Sequence, residues 1–169
     1  MIALQKITTV YVDKEDRIRL TGALQNGDTI VIWLTLRMLQ LLVPSLANWL
    51  QKSDTVAGAA LGAEKDVQSF RQQAAKASIE KQPPVAATGQ SLNWVAVGVD
   101  YRFNATQIHL IFKGQNTETA SLDLPLAACR QWLSILYDAY RLASWPMTVW
   151  PDWFTDAAAP QTKGLIVRH

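Results

Sequence analysis

Residues 17–34 are Arg17-Ile-Arg-Leu-Thr-Gly-Ala-Leu-Gln-Asn-Gly-Asp-Thr-Ile-Val-Ile-Trp-Leu34. Apolar and polar side chains alternate through the first half of this stretch, as in a strand with one buried face. The turn that follows is Gln25-Asn26-Gly27-Asp28, and Asn-Gly accepts the positive φ angles of a type I′ turn. The stretch therefore predicts an antiparallel hairpin whose second strand is residues 29–34.

Residues 107–126 carry the same pattern, with turn residues at Gly114-Gln-Asn-Thr117. Sliding the chain along itself by 90 positions lays residues 7–50 over residues 97–140 without a gap. The identical columns are Tyr11/Tyr101, Ile18/Ile108, Leu20/Leu110, Gln25/Gln115, Asn26/Asn116, Thr29/Thr119, Leu34/Leu124, Leu36/Leu126 and Leu46/Leu136. This match predicts a tandem duplication.

Each hairpin is followed by a predicted helix with one apolar stripe. The stripe columns are Leu36/Leu126, Leu39/Cys129, Val43/Leu133, Leu46/Leu136 and Leu50/Tyr140, at spacings of 3 and 4 residues. Pro125 suits a first helical position, where a missing N–H costs nothing. Pro44 is expected to kink or split the first helix.

The fold class that these elements predict is α+β, with a β-β-β-α unit occurring twice. The first strand of each three-stranded antiparallel meander is placed at residues 7–12 and 94–103. The units are residues 1–52 and 91–143, joined by a connector at 53–90 and followed by residues 144–169. We expect the units to form one domain with a pseudo-twofold axis, and we favour one continuous sheet over two sheets packed face to face.

The connector is predicted to contain a long Ala-rich helix of about seven turns that ends before Pro83-Pro84. Its apolar seam would be Val56, Ala60, Ala63, Val67, Phe70, Ala74 and Ala77. Alanine contributes little burial, so the helix is interpreted as a connector, with an arm that meets a partner's helix as the alternative. Residues 83–89 are predicted to be extended.

Residues 144–154 hold three of the seven tryptophans and two prolines. The first interpretation is an aromatic strap across the core. The alternative is an exposed anchor for another subunit or a protein partner, because Trp dominates interface hot spots. The partner contacts would then be Trp145, Trp150, Trp153 and Phe154. Residues 156–169 are predicted to be a loose tail.

The composition, 49% hydrophobic and 18% charged, argues against disordered, collagen-like and coiled-coil chains. A net charge of +2 does not by itself indicate a nucleic acid or a membrane as partner. Cys129 is the one cysteine, which fits a reducing compartment, and the first residues lack the order of a secretory signal. A cytoplasmic protein is therefore expected.

Residues 29–50 carry Arg37 near their middle and are predicted as a strand running into a helix rather than a membrane span.

The residues of catalytic chemistry are sparse, so we expect no catalytic site, no metal and no cofactor. His109 is interpreted as a surface strand residue. A catalytic histidine needs a carboxylate that positions its ring, and the spacing of Asp100, Glu118 and Asp123 in the sequence marks none of them for that role. Cys129 lies on an apolar stripe and is interpreted as a core residue. The stretch Gly58-Ala-Ala-Leu-Gly62 lacks the strand and the Lys-Ser/Thr of a phosphate loop.

A polar sheet face offers a possible ligand-binding surface. Its candidate residues are Arg17, Arg19, Thr21, Gln107, His109 and Lys113, with Tyr11, Tyr101 and Trp33 near enough to stack on bases. The plan of strands followed by one helix, repeated in tandem, resembles in outline the PUR and Whirly single-strand-binding proteins. Their repeats have four strands before the helix, whereas the sequence predicts three here. The resemblance implies single-stranded nucleic acid as a possible ligand.

The function that these observations favour is a non-catalytic binding or assembly module of the bacterial-type cytoplasmic kind. We expect it to self-associate as a homodimer and to bind a protein partner, without a membrane. The alternative is single-stranded nucleic-acid binding through the polar sheet face, and the third possibility is an enzyme whose site the sequence does not reveal.

Overall fold

The computed structural model describes residues 1–55 and 63–158 of the chain. Within these residues the fold is α+β, as predicted, with eight strands and four α-helices. They are β1 (Ile2–Leu4), β2 (Lys6–Val12), β3 (Arg17–Ala23), β4 (Thr29–Leu34), α1 (Leu36–Thr55), α2 (Glu64–Ala77), β5 (Leu92–Val95), β6 (Gly98–Phe103), β7 (Gln107–Lys113), β8 (Thr119–Pro125), α3 (Leu126–Leu142) and α4 (Asp152–Ala158).

The strands form two four-stranded sheets, so the expectation of one continuous sheet is wrong. The first sheet has the order β2-β3-β4-β5 and the second has the order β1-β8-β7-β6. In each sheet the three strands of a predicted meander are antiparallel, and a fourth strand is added in parallel. Sequence periodicity predicted both meanders but not the added strands.

The added strand of each sheet comes from the other half of the chain. β1 pairs with β8 in the second sheet, and after Gln5 the chain enters β2 in the first sheet. β5 pairs with β4 in the first sheet, and after residues 96–97 the chain enters β6 in the second. The single strand expected at residues 94–103 is therefore two strands in two sheets. Four strands precede each of α1 and α3, instead of the predicted three.

The switch between sheets is visible in two consecutive backbone hydrogen bonds. The Ala96 N–H donates to the Trp33 carbonyl of β4, and the next N–H, that of Val97, donates to the Lys113 carbonyl of β7. The crossing of β1 into β2 brings Leu4 against Gly22, where a Cβ would lie 2.6 Å from the Leu4 Cδ2 atom. Glycine at this position therefore allows the close approach of the two sheets.

The helix α1 continues through Pro44 without a break, so the expected split is wrong. Leu39, Val43 and Leu46 are fully buried on the stripe that flanks the proline. Packing of this stripe outweighs the loss of one helical hydrogen bond. The apolar stretch 29–50 is a strand and a helix, as predicted. No helix in the described ranges is both long enough and apolar enough to cross a membrane.

One hydrophobic cluster joins both sheets and the helices. The inner residues of β3, β4, β7 and β8 contact the stripes of α1 and α3 within it. α3 packs on β2 and β8, and α1 packs on β6 and α3. The helix of each half therefore touches the first meander strand of the other half.

The buried face of α2 is polar, so the predicted alanine seam is wrong. Gln68, Gln72 and Ala75 are buried, whereas Phe70, a seam residue, is 71% exposed. The helix begins at Glu64, and the earlier seam residues at 56–62 lie outside the described residues. α2 packs on α3 and α4 of its own chain, as expected of a connector.

The partner of this polar face is Arg130 of α3. Its Nη2 donates to the Gln68 Oε1 at 2.6 Å and its Nη1 to the Gln72 Oε1 at 3.3 Å. The Gln72 amide donates to the Arg130 carbonyl and to the Ser134 hydroxyl, both at 2.8 Å. Burial, and next the charge of Arg71, lower the pKa of Arg130 to about 10. Because Arg130 and the two glutamines hydrogen-bond to each other, this polar face of α2 is buried with partners for its side chains.

The aromatic segment after α3 forms the strap that the first interpretation expected. Trp145, Trp150, Trp153 and Phe154 are all buried and pack inside the chain. The rings of Trp145 and Trp150 meet Tyr140 edge to face, and the Trp145 indole N–H donates to the Asp16 carboxylate at 2.8 Å. The structure describes this region to residue 158, and α4 occupies its end. The predicted tail, residues 156–169, is wrong for residues 156–158, which belong to α4, and its remainder lies outside the described residues.

We expect Leu39→Ala and Leu133→Ala each to lower the free energy of unfolding by about 2–5 kcal/mol, because both side chains are fully buried in the core. Leu41→Ala is the matched control on the same helix. Leu41 is 73% exposed, so we expect a change below about 0.5 kcal/mol. Chemical denaturation followed by circular dichroism measures all three, and a near-neutral effect at both buried positions would contradict the helix orientations.

Candidate functional site

The six residues of the predicted polar face lie on two different sheets. Arg17, Arg19 and Thr21 belong to β3 of the first sheet. The other three residues, Gln107, His109 and Lys113, belong to β7 of the second sheet. Thr21 is buried, and its neighbour Thr8 accepts a hydrogen bond from the Val85 N–H of the connector. The structure therefore does not bring the six residues together on one face.

Two of the basic groups on the second sheet stand next to carboxylates. The Nδ1 of His109 lies 2.6 Å from the Oδ1 of Asp123 on the neighbouring strand β8. Lys113 forms an ion pair with Asp100 of β6. All four groups are partly or largely exposed, so these pairs contribute little to stability. They do offset much of the positive charge of this face.

A shallow cavity of about 160 Å³ lies beside the His109–Asp123 pair and is lined by Arg102, Phe103, Asn104, Gln107 and His109. None of these lining residues is a hydroxyl, thiol or amine nucleophile, so the pair has no reacting group to activate within the cavity. Across residues 1–55 and 63–158, no group of three His, Cys, Asp or Glu side chains is arranged to hold a metal ion. Sequence spacing did not single out Asp123, because the pair forms across two strands.

The aromatic residues that were candidates for stacking have different surroundings. The Tyr11 hydroxyl donates to the Asp16 carboxylate at 3.0 Å, and its ring meets Trp145 edge to face. The Trp33 indole N–H donates to the Asn93 side chain at 2.7 Å. Tyr101 is exposed and its ring stacks on Phe103, with 6.1 Å between the ring centroids. Among the three, Tyr101 is therefore the most exposed, at 43%.

Two grooves lie at positions related by the 90-residue offset. The β2 groove has a volume of about 610 Å³ and lies between β2 and α3. The β6 groove has a volume of about 760 Å³ and lies between α1 and residues 95–101. Their matched lining residues include Ile7/Val97, Thr8/Gly98, Ala128/Met38, Gln131/Leu41 and Ile135/Ser45.

The connector forms one side of the β2 groove. Gln131 of α3 donates to the Ser78 hydroxyl at 3.1 Å, and the connector residues in the lining are Ser78, Ile79, Glu80, Gln82, Pro83 and Pro84. The Lys6 ammonium donates to the Pro83 carbonyl at 2.9 Å, and the Val85 N–H donates to the Thr8 hydroxyl at 2.8 Å. The edge of β2 therefore has an extended segment of the same chain beside it.

The β6 groove has no connector residues in its lining. It is lined by α1 on one side and by residues 95–101 on the other, with apolar side chains on both sides. We call Leu41, Val97, Tyr101 and Phe103 the β6 patch. All four are exposed, Val97 to 64% and Phe103 to 56%. Sequence analysis did not identify this patch, although Leu41 lies off the buried stripe of α1 and could have indicated an exposed apolar position.

The backbone of β6 is unpaired on the side away from β7. β6 is the last strand of the second sheet. The Asn104 N–H donates to the Gln107 carbonyl, and Arg102 pairs with His109. Because antiparallel pairs alternate, even-numbered residues of β6 bond to β7, and Val99, Tyr101 and Phe103 direct their N–H and C=O groups outward. The β6 patch thus borders a row of free backbone donors and acceptors.

Comparison with protein-family models, with curated proteins and with solved structures gave no significant match.

Cys129 is a core residue, as the sequence predicted, and burial raises the pKa of its thiol to about 12. The unfolded chain loses this proton near pH 8.5, so the folded state binds more protons between about pH 8.5 and pH 12. We therefore expect stability to fall as the pH rises through that window, and to fall less steeply in Cys129→Ala. Denaturant titrations from pH 8 to pH 11 measure the difference. Equal slopes for the two proteins, or rapid labelling of the native thiol by Ellman's reagent at pH 8, would contradict this account.

Proposed function

We propose that the protein is a non-catalytic assembly module of the cytoplasm, which self-associates as a homodimer and binds a protein partner. The observation that carries the proposal is the β6 patch beside an unpaired strand edge. An edge of this kind is a template for another polypeptide strand, and exposed apolar clusters are typical of protein interfaces.

A polypeptide fits this surface better than a small ligand or a polyanion. Backbone N–H and C=O groups along β6 alternate as a strand partner requires. The groove beside them is lined mostly by apolar side chains, and Arg37 is the one charged residue of that lining. The matching edge of the first sheet, β2, already has Pro83 and Val85 of the connector beside it, which supports an extended segment as the occupant of the equivalent position at β6.

We also infer that the halves are copies of one unit. The order of strands and helix is the same in residues 7–50 and 97–140, and the two grooves occupy matched positions. Superposition of these two segments in a crystal structure should align three strands and one helix in order. A different strand pairing in either half would contradict the duplication.

Light scattering at micromolar concentration tests self-association. We expect a mass near twice the 18.8 kDa of one chain. Leu41→Glu should shift the protein toward monomer, because it places a charge in the β6 patch. Leu142→Glu is the matched control, since Leu142 is 74% exposed on α3 and lies outside the patch. A monomeric wild type across the micromolar range would overturn the self-association.

Affinity capture from an extract of the source cells, with and without nuclease, tests the second part of the proposal. A protein retained after nuclease treatment is the expected result. Retention that depends on nucleic acid would instead favour the alternative function.

Single-stranded nucleic-acid binding stays as the second candidate because four strands precede each helix, the number found in PUR and Whirly repeats. Arg17 and Arg19 of the first sheet would bind the phosphates.

If two phosphates are bound, affinity for a labelled oligonucleotide of about twenty bases should fall about sevenfold for a fourfold rise in salt. Fluorescence anisotropy with Arg17→Ala/Arg19→Ala should then show a flatter salt dependence, with Lys113→Ala as the control on the other sheet. An absence of binding at low salt would remove this candidate.

A further inference from the structure

We infer that the second copy pairs with β6 through β6 itself, antiparallel, with the twofold axis at Tyr101, so that the second sheets of two chains join into one sheet of eight strands. This inference rests on the proposed self-association and adds the surface and the register.

The β6 edge is the longest edge that the described part of the chain leaves open. The two sheets have four edge strands, β1, β2, β5 and β6. β1 and β5 have only 3 and 4 residues, and short edge strands are poor templates for pairing. β2 has the connector beside it. β6 has 6 residues and outward backbone groups at Val99, Tyr101 and Phe103.

The direction of these groups limits the possible registers. In an antiparallel pair, outward-facing residues of one strand must oppose outward-facing residues of the other. Twofold axes at residues 99 to 103 satisfy this rule, and those at residues 99 and 103 give Asp100 and Arg102 no charged partner. The registers in which charged side chains oppose each other have the axis at residue 100, 101 or 102. Each choice gives a different set of cross-strand neighbours for the two charged side chains of β6, Asp100 and Arg102.

Charge selects one of these registers. An axis at residue 100 places Asp100 opposite Asp100 of the second copy, and an axis at residue 102 places Arg102 opposite its own equivalent. An axis at Tyr101 places each Asp100 opposite Arg102 of the other copy, which gives two complementary pairs. Neighbours at such positions, which do not share backbone hydrogen bonds, have the closer side chains, so the charge match there has its largest effect.

The geometry of each copy leaves Asp100 able to accept this partner. Lys113 binds its Oδ2 atom, and the Asp100 side chain is still 57% exposed, so the carboxylate has room for a guanidinium as a second partner. Asp100 and Arg102 are both exposed and lie on the outer side of the sheet, opposite to Tyr101 and Phe103.

The same register matches the apolar side. It sets Tyr101 opposite Tyr101 and Val99 opposite Phe103 of the second copy. Phe103 already contacts Trp49 of α1, with 6.3 Å between ring centroids, and stacks on Tyr101. Pairing would bring the exposed aromatic side chains of the two copies into cross-strand contact, and aromatic cross-strand pairs stabilise sheets.

A charge-exchange cycle tests the register by analytical ultracentrifugation of the full chain. Asp100→Arg and Arg102→Asp each create two like-charge pairs in the dimer, so each should raise the dissociation constant about tenfold or more. The double variant, Asp100→Arg with Arg102→Asp, restores two complementary pairs and should return to within about threefold of the wild type. Asp123→Arg is the matched control, because Asp123 is exposed on β8 of the same sheet but away from the edge. Circular dichroism verifies that every variant is folded.

A cysteine placed on the axis gives a second, independent readout. Cys129 is buried, so Tyr101→Cys introduces the one accessible thiol of the described residues. Opposed residues at a hydrogen-bonded position have Cα atoms about 5.5 Å apart, within the range of a disulfide, so mild oxidation should give a covalent dimer.

The outcomes separate this inference from the proposed function. A dimeric wild type with rescue in the double variant and oxidative cross-linking supports the inference. A dimeric wild type that is indifferent to all charge variants, or that the double variant fails to rescue, overturns the β6 register and leaves the assembly module standing. A monomeric wild type overturns both.

Discussion

The exchange of one strand between the halves is the constraint on which the rest of the fold depends. β1 leaves the second sheet to become β2 of the first, and β5 leaves the first sheet to become β6 of the second. Each half therefore lacks one strand of its own sheet, and the other half supplies it. One hydrophobic cluster then serves both sheets, and the helix of each half packs on the opposite meander.

The same exchange leaves the two outer meander strands different from each other. The connector that joins the halves returns along β2 on its way to β5, through Pro83 and Val85. A single connector can run beside only one of the two matched edges, which is β2. The asymmetry between the grooves follows from chain connectivity, because connector residues line the β2 groove, whereas α1 and the β5–β6 segment line the β6 groove.

Much of this architecture is contained in local sequence patterns, and the remainder depends on partners that are distant in the chain. Alternation and the 3–4 stripe predicted β3, β4, β7, β8, α1 and α3. The turn lies where Asn26-Gly27 predicted it, but of these two residues only Gly27 has a positive φ, 88°, so the predicted type I′ turn is wrong. The apolar–polar alternation at residues 94–103 continues across the change from the first sheet to the second. Alternation depends on the two faces of a strand and not on which strand is adjacent, so it predicted one strand where there are two. The alanine seam failed for a related reason: Gln68 and Gln72 are buried by hydrogen bonds with Arg130, an interaction that hydrophobic periodicity cannot detect. The exposure of Leu41 and the pairing of His109 with Asp123 likewise arise only when separate elements come together.

The parallel pairing of β1 with β8 also has a consequence for synthesis on the ribosome. Ile2 is opposite Ala120, so β1, the first strand to be synthesised, can pair only after β8 has been synthesised. At about 5–20 residues per second, the 118 residues that follow Ile2, up to and including Ala120, take roughly 6–24 s to translate. During this interval the first meander has emerged with the outer edge of β4 unpaired until residues 92–95 appear, and β1 has no sheet to join. Strand exchange between nascent chains on the same mRNA is therefore easiest before the second half of each chain has been synthesised.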